Sequence, residues 1–477
     1  MRRRDRRGTS SARLAVAGAA ILLVIAVLVA ILSGGGPPPL PLPGIGRPAR
    51  SGDPFAYISG RQPDFTARAT AGSAQALFVK SPGGAVATAA RVSGFRSLID
   101  AATAGTNVDP NTLEGIVFLE SAGQPNAIAG SDPANAAGLT QILAETGQSL
   151  LGMHIDLAAS RQLTSQIDRA YALGRSARVA QLQRARAKVD DRFDPAKALA
   201  ATVRYLRLAQ QRFVRADLAV VSYHMGIGNL QNVLADYDGG QPVPYAQLYF
   251  DTAPDNHATA YRLLSGFGDD SWTYYWRVLA AEQIMRLYRS DPAALRRLSL
   301  LEVSSGSTAE VLHPPEETPT FADPNALDAA YAGHTVLPLP SNAGALGLAY
   351  ASGLGSLAHR LGVSTALYRG LRAPALDLLI ELAARVRTLS GGAAPLTVTS
   401  AVSDDRYQQQ LGINDPPAAA GWSFTIARHY ASGAQALAFQ AMLDRLQSLN
   451  VIAWERYPSE IEVTVASGAA HVIVDGP

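Results

Sequence analysis

Few residue types in this chain can do covalent chemistry, because its 477 residues include no cysteine. A thiol nucleophile, a zinc–thiolate site, a disulfide framework and an acylated lipoprotein cysteine are therefore all excluded. What stands out instead is one carboxylate, Glu120, near the end of the stretch Asp109-Pro110-Asn111-Thr112-Leu113-Glu114-Gly115-Ile116-Val117-Phe118-Leu119-Glu120-Ser121. Asp109 suits a helix cap and Pro110 the first helical position. Leu113, Ile116 and Val117 then recur at helical spacing and define an apolar face, on which Glu120 is the next residue. A carboxylate there is unfavourable unless it is paired, protonated or open to a cleft. Burial of that kind raises a glutamate pKa, which suits a general acid at neutral pH. The alternative is a helix-end glutamate that turns to water. Glu114 falls off the apolar face and, like Glu145, reads as solvated.

Further blocks accompany this stretch in a region that reads as helical from about Val92 to Leu300. Ala136-Ala137-Gly138-Leu139-Thr140-Gln141-Ile142 follows a turn rich in Gly, Asp, Pro and Asn and is expected to begin a helix. Asp194-Pro195 repeats the cap-and-proline start, with Leu199, Val203 and Leu206 at helical spacing. Ser222-Tyr223-His224-Met225-Gly226-Ile227-Gly228-Asn229 closes a helix from about Leu218 with two glycines. The polar stretch between Leu150 and Asp191 carries Arg175, Arg178, Arg184, Arg186 and Lys188, expected to form a solvated helical face or to hold an acidic polymer.

Taken in order, Glu120-Ser121, Gly138-Leu139-Thr140-Gln141-Ile142 and Tyr223-His224-Met225-Gly226 resemble the lytic transglycosylases of the soluble-lytic-transglycosylase (family 1, lysozyme-like) type. That family carries Glu-Ser, Gly-Leu-Met-Gln-Ile and Ala-Tyr-Asn-Ala-Gly. Tyr274 with Arg277-Val278-Leu279-Ala280-Ala281 is similar to its tyrosine-bearing last helix, and the resemblance runs from about Val92 to Arg289. It implies peptidoglycan glycan strands as substrate, with Glu120 as the single catalytic acid and base and no cofactor. Ser121, Gly138, Gln141, Tyr223 and Tyr274 are implied as substrate-binding residues, Gly138 by letting backbone approach the sugar. The implied reaction cleaves the β-1,4 bond between N-acetylmuramic acid and N-acetylglucosamine and leaves 1,6-anhydromuramoyl ends in a bacterial wall. Thr140 departs from the family Met, and His224-Met225 from Asn-Ala. A hydrolytic muramidase and a non-catalytic wall-binding scaffold are the competing readings.

The elements that must position these residues come from composition. A chain 48% hydrophobic and 17% charged can bury real cores, and a net charge of +2 does not suggest a nucleic-acid partner. Five arginines among residues 2–7 precede an apolar run, read as a basic cytoplasmic tail at 1–13 and a membrane anchor at 14–33. A cleaved signal peptide competes, but Ala30-Ile31-Leu32-Ser33 is a poor cleavage site and the run is long. The retained, single-pass anchor is favoured, with the rest of the chain extracytoplasmic. A Pro/Gly-rich spacer follows at 34–54, then a segment at 55–91 whose role is not legible, the helical domain at 92–300 and a linker at 301–324.

Residues 325–477 read as a smaller α+β domain, with helices at about Ala373–Leu389 and Ala434–Leu449 and strands at 396–399 and 461–465. The expected fold is thus mainly α, with a lysozyme-like domain followed by this unit behind one N-terminal transmembrane helix. Leu396-Thr397-Val398-Thr399-Ser400 and Gly421-Trp422-Ser423-Phe424-Thr425 faintly resemble the zinc D-alanyl-D-alanine carboxypeptidase class. The implied ligand positions fall on Ala418, Thr425 and Glu462, a set that would not hold zinc. A degenerate, peptide- or protein-binding module is implied, and no metal is expected.

Overall fold

The computed structural model describes residues 55–304 and 308–474. The anchor and spacer expected at 14–54 lie outside them. Among the described residues no helix is long and apolar enough to cross a membrane.

The helical unit is organised around two antiparallel helices, Pro110–Ser121 and Tyr274–Ser290. Asp109 caps the first by accepting from the Asn111 N–H, with Pro110 in its first turn, as the sequence predicts. Gly115 sets their separation, since a Cβ there would lie 2.9 Å from the Val278 carbonyl oxygen. Thr112 donates to Glu282 at one end of the pair, while Glu120 meets Tyr274 at the other. The Asp194-Pro195 start also forms as expected: Asp194 accepts from Ala196 and Lys197 at the head of the Pro195–Phe213 helix.

Residues 55–91, whose role the sequence hides, are structural. The helices Gln62–Gly72 and Ala85–Ser93 pack on Tyr274–Ser290, and Gln75–Lys80 lies between them in the chain. Their buried side chains (Phe65, Phe78, Ala89, Val92) join the common core.

Three local expectations are corrected. Residues 136–142 do not begin a helix: Gly138 at φ 82° and Gln141 at φ 51° break helical geometry, and Ala137 bridges to Ile128 and Ile142. The helix begins only at Ala144. Gly226 at φ 90° does end the Ala216–Met225 helix, but Gly228 lies inside the next one, Ile227–Asp238. The 150–191 stretch folds as a hairpin of helices Leu157–Ala172 and Ser176–Val189, and Arg186 is not on its solvated face. Arg186 is 2% exposed, stacked over Phe193 and donating to Thr164 and Asn126.

The second unit holds β1 (Val336–Pro338), β2 (Leu348–Tyr350), β3 (Gly370–Arg372), β4 (Leu396–Ser400), β5 (Ser423–Ala427), β6 (Ile452–Arg456) and β7 (Glu460–Val465). Strands β1 and β3 form a small antiparallel ladder, and the main sheet runs β2-β4-β5-β7-β6 with only β2–β4 parallel. The helices Ala373–Ser390 and Gly433–Ser448 pack against each other and the sheet. Within 301–324, Thr308–Leu312 is helical and packs on β6 and β7. His313 is buried there, stacked on Trp422 at 4.7 Å and 2.7 Å from the Val465 carbonyl oxygen. This connecting segment is stitched to the sheet.

The two units share one apolar core. Polar ties reinforce it: the Arg385 guanidinium donates to both oxygens of Asp255, and Arg445 donates to the Phe55 and Phe250 carbonyls.

Candidate active site

Glu120 occupies the last turn of its helix, where Ala122 adopts a left-handed conformation at φ 52° and the chain turns away. Arg91 donates to the Ala122 carbonyl and fixes that end. Half-buried, Glu120 accepts a hydrogen bond from the Tyr274 hydroxyl at 2.6 Å. Burial raises its pKa to about 7, and the tyrosine hydroxyl, which favours the carboxylate, opposes that rise. Near neutrality the group is therefore divided between acid and base.

Its carboxyl lies at the seam of two cavities. One, of about 500 Å³, is lined by Gln141, Leu143, Leu150, Tyr205, Tyr223 and Ile227 among others. The other, of about 270 Å³, is walled by Leu77, Lys80 and Pro82 from the N-terminal helices together with Phe118, Tyr274 and Arg277. His224 borders both. Leu143 and Leu150 are 52% and 47% exposed, an apolar surface of the kind that packs on a ligand's non-polar face. Glu120 is the single carboxylic acid lining either cavity among the described residues.

An aromatic file backs the carboxyl. The Tyr274 ring stacks on His224 at 5.1 Å and lies 6.4 Å from Tyr223, which meets Tyr205 edge-on at 5.2 Å. Burial raises the pKa of both Tyr223 and Tyr274, so these hydroxyls stay protonated donors. Tyr223 donates to the Thr140 carbonyl at 2.7 Å, with Thr202 beside it at 3.3 Å. It thereby ties its helix to the 138–142 loop.

That loop holds the other expected residues, with roles the sequence does not reveal. The Ser121 hydroxyl is buried and donates to the Leu139 carbonyl at 2.7 Å. It is a strap between helix and loop. Gly138 is required, but by the protein's own backbone: a Cβ there would collide with the Arg192 carbonyl. Gln141 lines the larger cavity while its amide nitrogen donates to the Gly138 and Ala127 carbonyls. Thus Glu120 and Tyr274 meet directly, Gln141 and Tyr223 line the cleft, and Ser121 and Gly138 support it.

Sequence reasoning missed Arg192. Fully buried, it pairs with Asp190 and donates to the Pro133, Asn135 and Ile142 carbonyls, holding the loop from beneath. It also misread Glu114, which is fully buried against Arg96 and Arg289 at 3.2 and 2.6 Å rather than solvated.

In the second unit, Thr425 and Glu462 are paired in register across β5 and β7. Glu462 shares a cavity of about 270 Å³ with Asp415, Glu455 and Tyr457, and burial next to Asp415 raises its pKa to about 8. Among the described residues no three His, Asp or Glu side chains are grouped as metal ligands.

Residues 97–166 and 174–241 match the family described as the transglycosylase SLT domain. The match takes in Glu120, Ser121, Gly138, Gln141 and Tyr223; Tyr274 and the wall at 75–82 fall outside it. Comparison with curated proteins finds no match. With the matched residues gathered around one half-buried carboxyl in an open cleft, the chain carries a lysozyme-like transglycosylase SLT domain and is an enzyme of the peptidoglycan lytic transglycosylase type.

Proposed function

We propose that the enzyme cleaves the β-1,4 bond between N-acetylmuramic acid and N-acetylglucosamine and leaves 1,6-anhydromuramoyl ends. The observation that carries this reading is the position of Glu120, alone among the acids of the described residues, between two cavities that can hold saccharide on either side of a scissile bond. Protonated Glu120 delivers its proton to the glycosidic oxygen as the bond to the anomeric carbon breaks. The muramoyl N-acetyl oxygen occupies the anomeric carbon, and the sugar's C6 hydroxyl then displaces it, giving its proton to the Glu120 carboxylate. The acid is restored without consuming water. Tyr274 holds the carboxyl through both steps, and its hydrogen bond is strongest when Glu120 is ionised. Ser121, Gly138, Gln141 and Tyr223 shape the cleft in which the glycan lies.

A hydrolytic muramidase is the second reading. It needs a group to activate water, and two-carboxylate glycosidases supply a second acid about 5–9.5 Å from the first. We favour the intramolecular route because, among the described residues, Glu120 is the one carboxylic acid in the cavity walls. The basic N-terminus and apolar run at 14–33 support a single-pass anchor with the catalytic part outside the cell membrane of a bacterium. The C-terminal unit is read as a module for wall peptide or a protein partner.

The test is digestion of purified peptidoglycan followed by mass spectrometry. Anhydro-ended fragments are expected, and fragments heavier by one water would replace this reading with the hydrolase. Glu120→Gln is expected to bind glycan without cutting it; near-normal cutting would remove Glu120 from its role.

A further inference from the structure

The hairpin of helices Leu157–Ala172 and Ser176–Val189 has a small core of its own, built on Ile167, Ala170 and Leu182. Its apex presents large apolar side chains to solvent: Tyr171 is 78% and Leu173 64% exposed. Neither contributes to a core of the protein. Near them in the chain Arg169, Arg175 and Arg178 are exposed, and Arg184 and Lys188, also exposed, lie farther along the second helix toward its root at Asp190. Arg169 donates to the Ser165 carbonyl and Arg178 to the Gln181 amide. No ion pair among the described residues engages any of the five. The stretches that match the transglycosylase family stop at 166 and resume at 174, so the apex lies between them. Tyr171 and Leu173 thus fall outside the matched stretches, while Arg175 and Arg178 fall inside the second.

We infer that the hairpin tip is a docking site for an anionic phospholipid surface, with Tyr171 and Leu173 entering the headgroup layer and the basic side chains lying against lipid phosphates. Charge alone would suit any polyanion. The paired apolar apex selects the bilayer, because exposed Tyr and Leu gain nothing from a soluble polyphosphate but bury apolar surface at a membrane interface. Tyrosine also suits that depth, with an apolar ring and a polar tip. Basic residues near an anionic leaflet add attraction that salt screens. An anchor at 14–33 would keep the surface within reach, since residues 34–54 span at most about 75 Å when extended. The hairpin is rooted at Asp190, two residues before the Arg192 that supports the 138–142 loop. Docking the tip would therefore fix how the glycan cleft faces the membrane. The inference does not depend on which product the enzyme makes.

The lack of cysteine makes the test direct, because Ala172→Cys creates a unique labelling position between Tyr171 and Leu173 and leaves both intact. The full chain, labelled there with an environment-sensitive fluorophore, is mixed with vesicles of phosphatidylcholine alone or with one third phosphatidylglycerol. A blue shift and quenching by a lipid-borne quencher are expected with the anionic vesicles only, and high salt should reverse both. Sedimentation would also report any insertion of the N-terminal run, whereas the label reports the hairpin. A label at Val214→Cys, 81% exposed on another element, should stay unchanged. Tyr171→Ser with Leu173→Ser, or Arg175→Glu with Arg178→Glu, should each lower the apparent vesicle affinity of the labelled site at least tenfold. These are exposed positions, and folding is not at stake. Identical emission with both vesicle types overturns the inference. So does an equal response to soluble polyphosphate, which would make the tip a site for a soluble polyanion.

Discussion

The Tyr274 hydroxyl donates to Glu120 at 2.6 Å across 154 positions of sequence. The Glu120 helix ends where the Tyr274 helix begins, and Gly115 lets the two close to backbone contact with Val278. One carboxyl thus receives two opposing influences, burial that favours its neutral form and a phenol that favours its charged form. The balance places it near the pH at which an acid that must also act as a base works best.

Tyr274→Phe removes the influence that lowers the Glu120 pKa, so that pKa rises further. The alkaline limb of kcat/KM against pH, which follows loss of the acidic proton, should move to higher pH. The rate at its optimum should fall about 10–100-fold, because the carboxyl is no longer held and the carboxylate formed in the first step is less stabilised. A limb that stays in place would show that another group controls it.

Glu120→Gln should stabilise the fold at alkaline pH. The folded carboxyl titrates at about 7 against an ordinary value of 4.5, so between those values the folded chain holds a proton the unfolded chain has lost. Stability from this group is complete below about 4.5 and declines as pH rises through 7. Allowing for the partial exposure of Glu120, the variant should gain about 1–2 kcal/mol at pH 8 and close to nothing at pH 4. Urea unfolding at the two pH values checks this; an equal gain at both would assign it to packing.

The helix carrying Glu120 was legible because its signals are local: a cap, a proline and an apolar face that places the carboxyl inward. In the second unit the two long helices and two strands, at 396–400 and 460–465, were legible from local pattern, and its other strands were not. What stayed hidden depends on distant chain. Glu114 looked solvated because Arg96 and Arg289, which neutralise it, lie outside its helix. The helices between 62 and 93 have short Ala-rich faces whose meaning appears only against the Tyr274 helix. Gly138 was expected to admit a sugar, and nothing in the local sequence names Arg192, 54 positions away, as its true neighbour.

Arg192→Met tests whether that neighbour is structural support. The substitution strands the Asp190 carboxylate in a buried site with, among the described residues, only Ser160 as a side-chain donor, and leaves three loop carbonyls without their guanidinium. Loss of one partner of a buried pair removes about 3–5 kcal/mol. A midpoint shift of that size is expected, with weaker glycan binding because the 133–142 loop is released. Unchanged stability would mean that water replaces the guanidinium.

Gly138→Ala separates backbone strain from contact, because the protein supplies its own control in Gly152. Both glycines have positive φ, 82° and 61°, and an alanine at either pays the left-handed penalty of about 1–2 kcal/mol. At Gly152 nothing lies within 4 Å of the added Cβ, whereas at Gly138 the Cβ meets the Arg192 carbonyl. That carbonyl belongs to backbone held by the buried Asp190–Arg192 pair and cannot step aside cheaply. Gly138→Ala should therefore lose about 3 kcal/mol or more, against about 1 kcal/mol for Gly152→Ala. Activity should part in the same way. Displacing the loop moves the Thr140 carbonyl that Tyr223 holds and the Leu139 carbonyl that Ser121 holds, and with them the wall beside Glu120. Gly152→Ala should keep near-normal turnover, while Gly138→Ala should lose it even at temperatures where the protein remains folded by circular dichroism. Equal losses in the two variants would show that conformational strain, not the approach to Arg192, is the reason a glycine stands at 138.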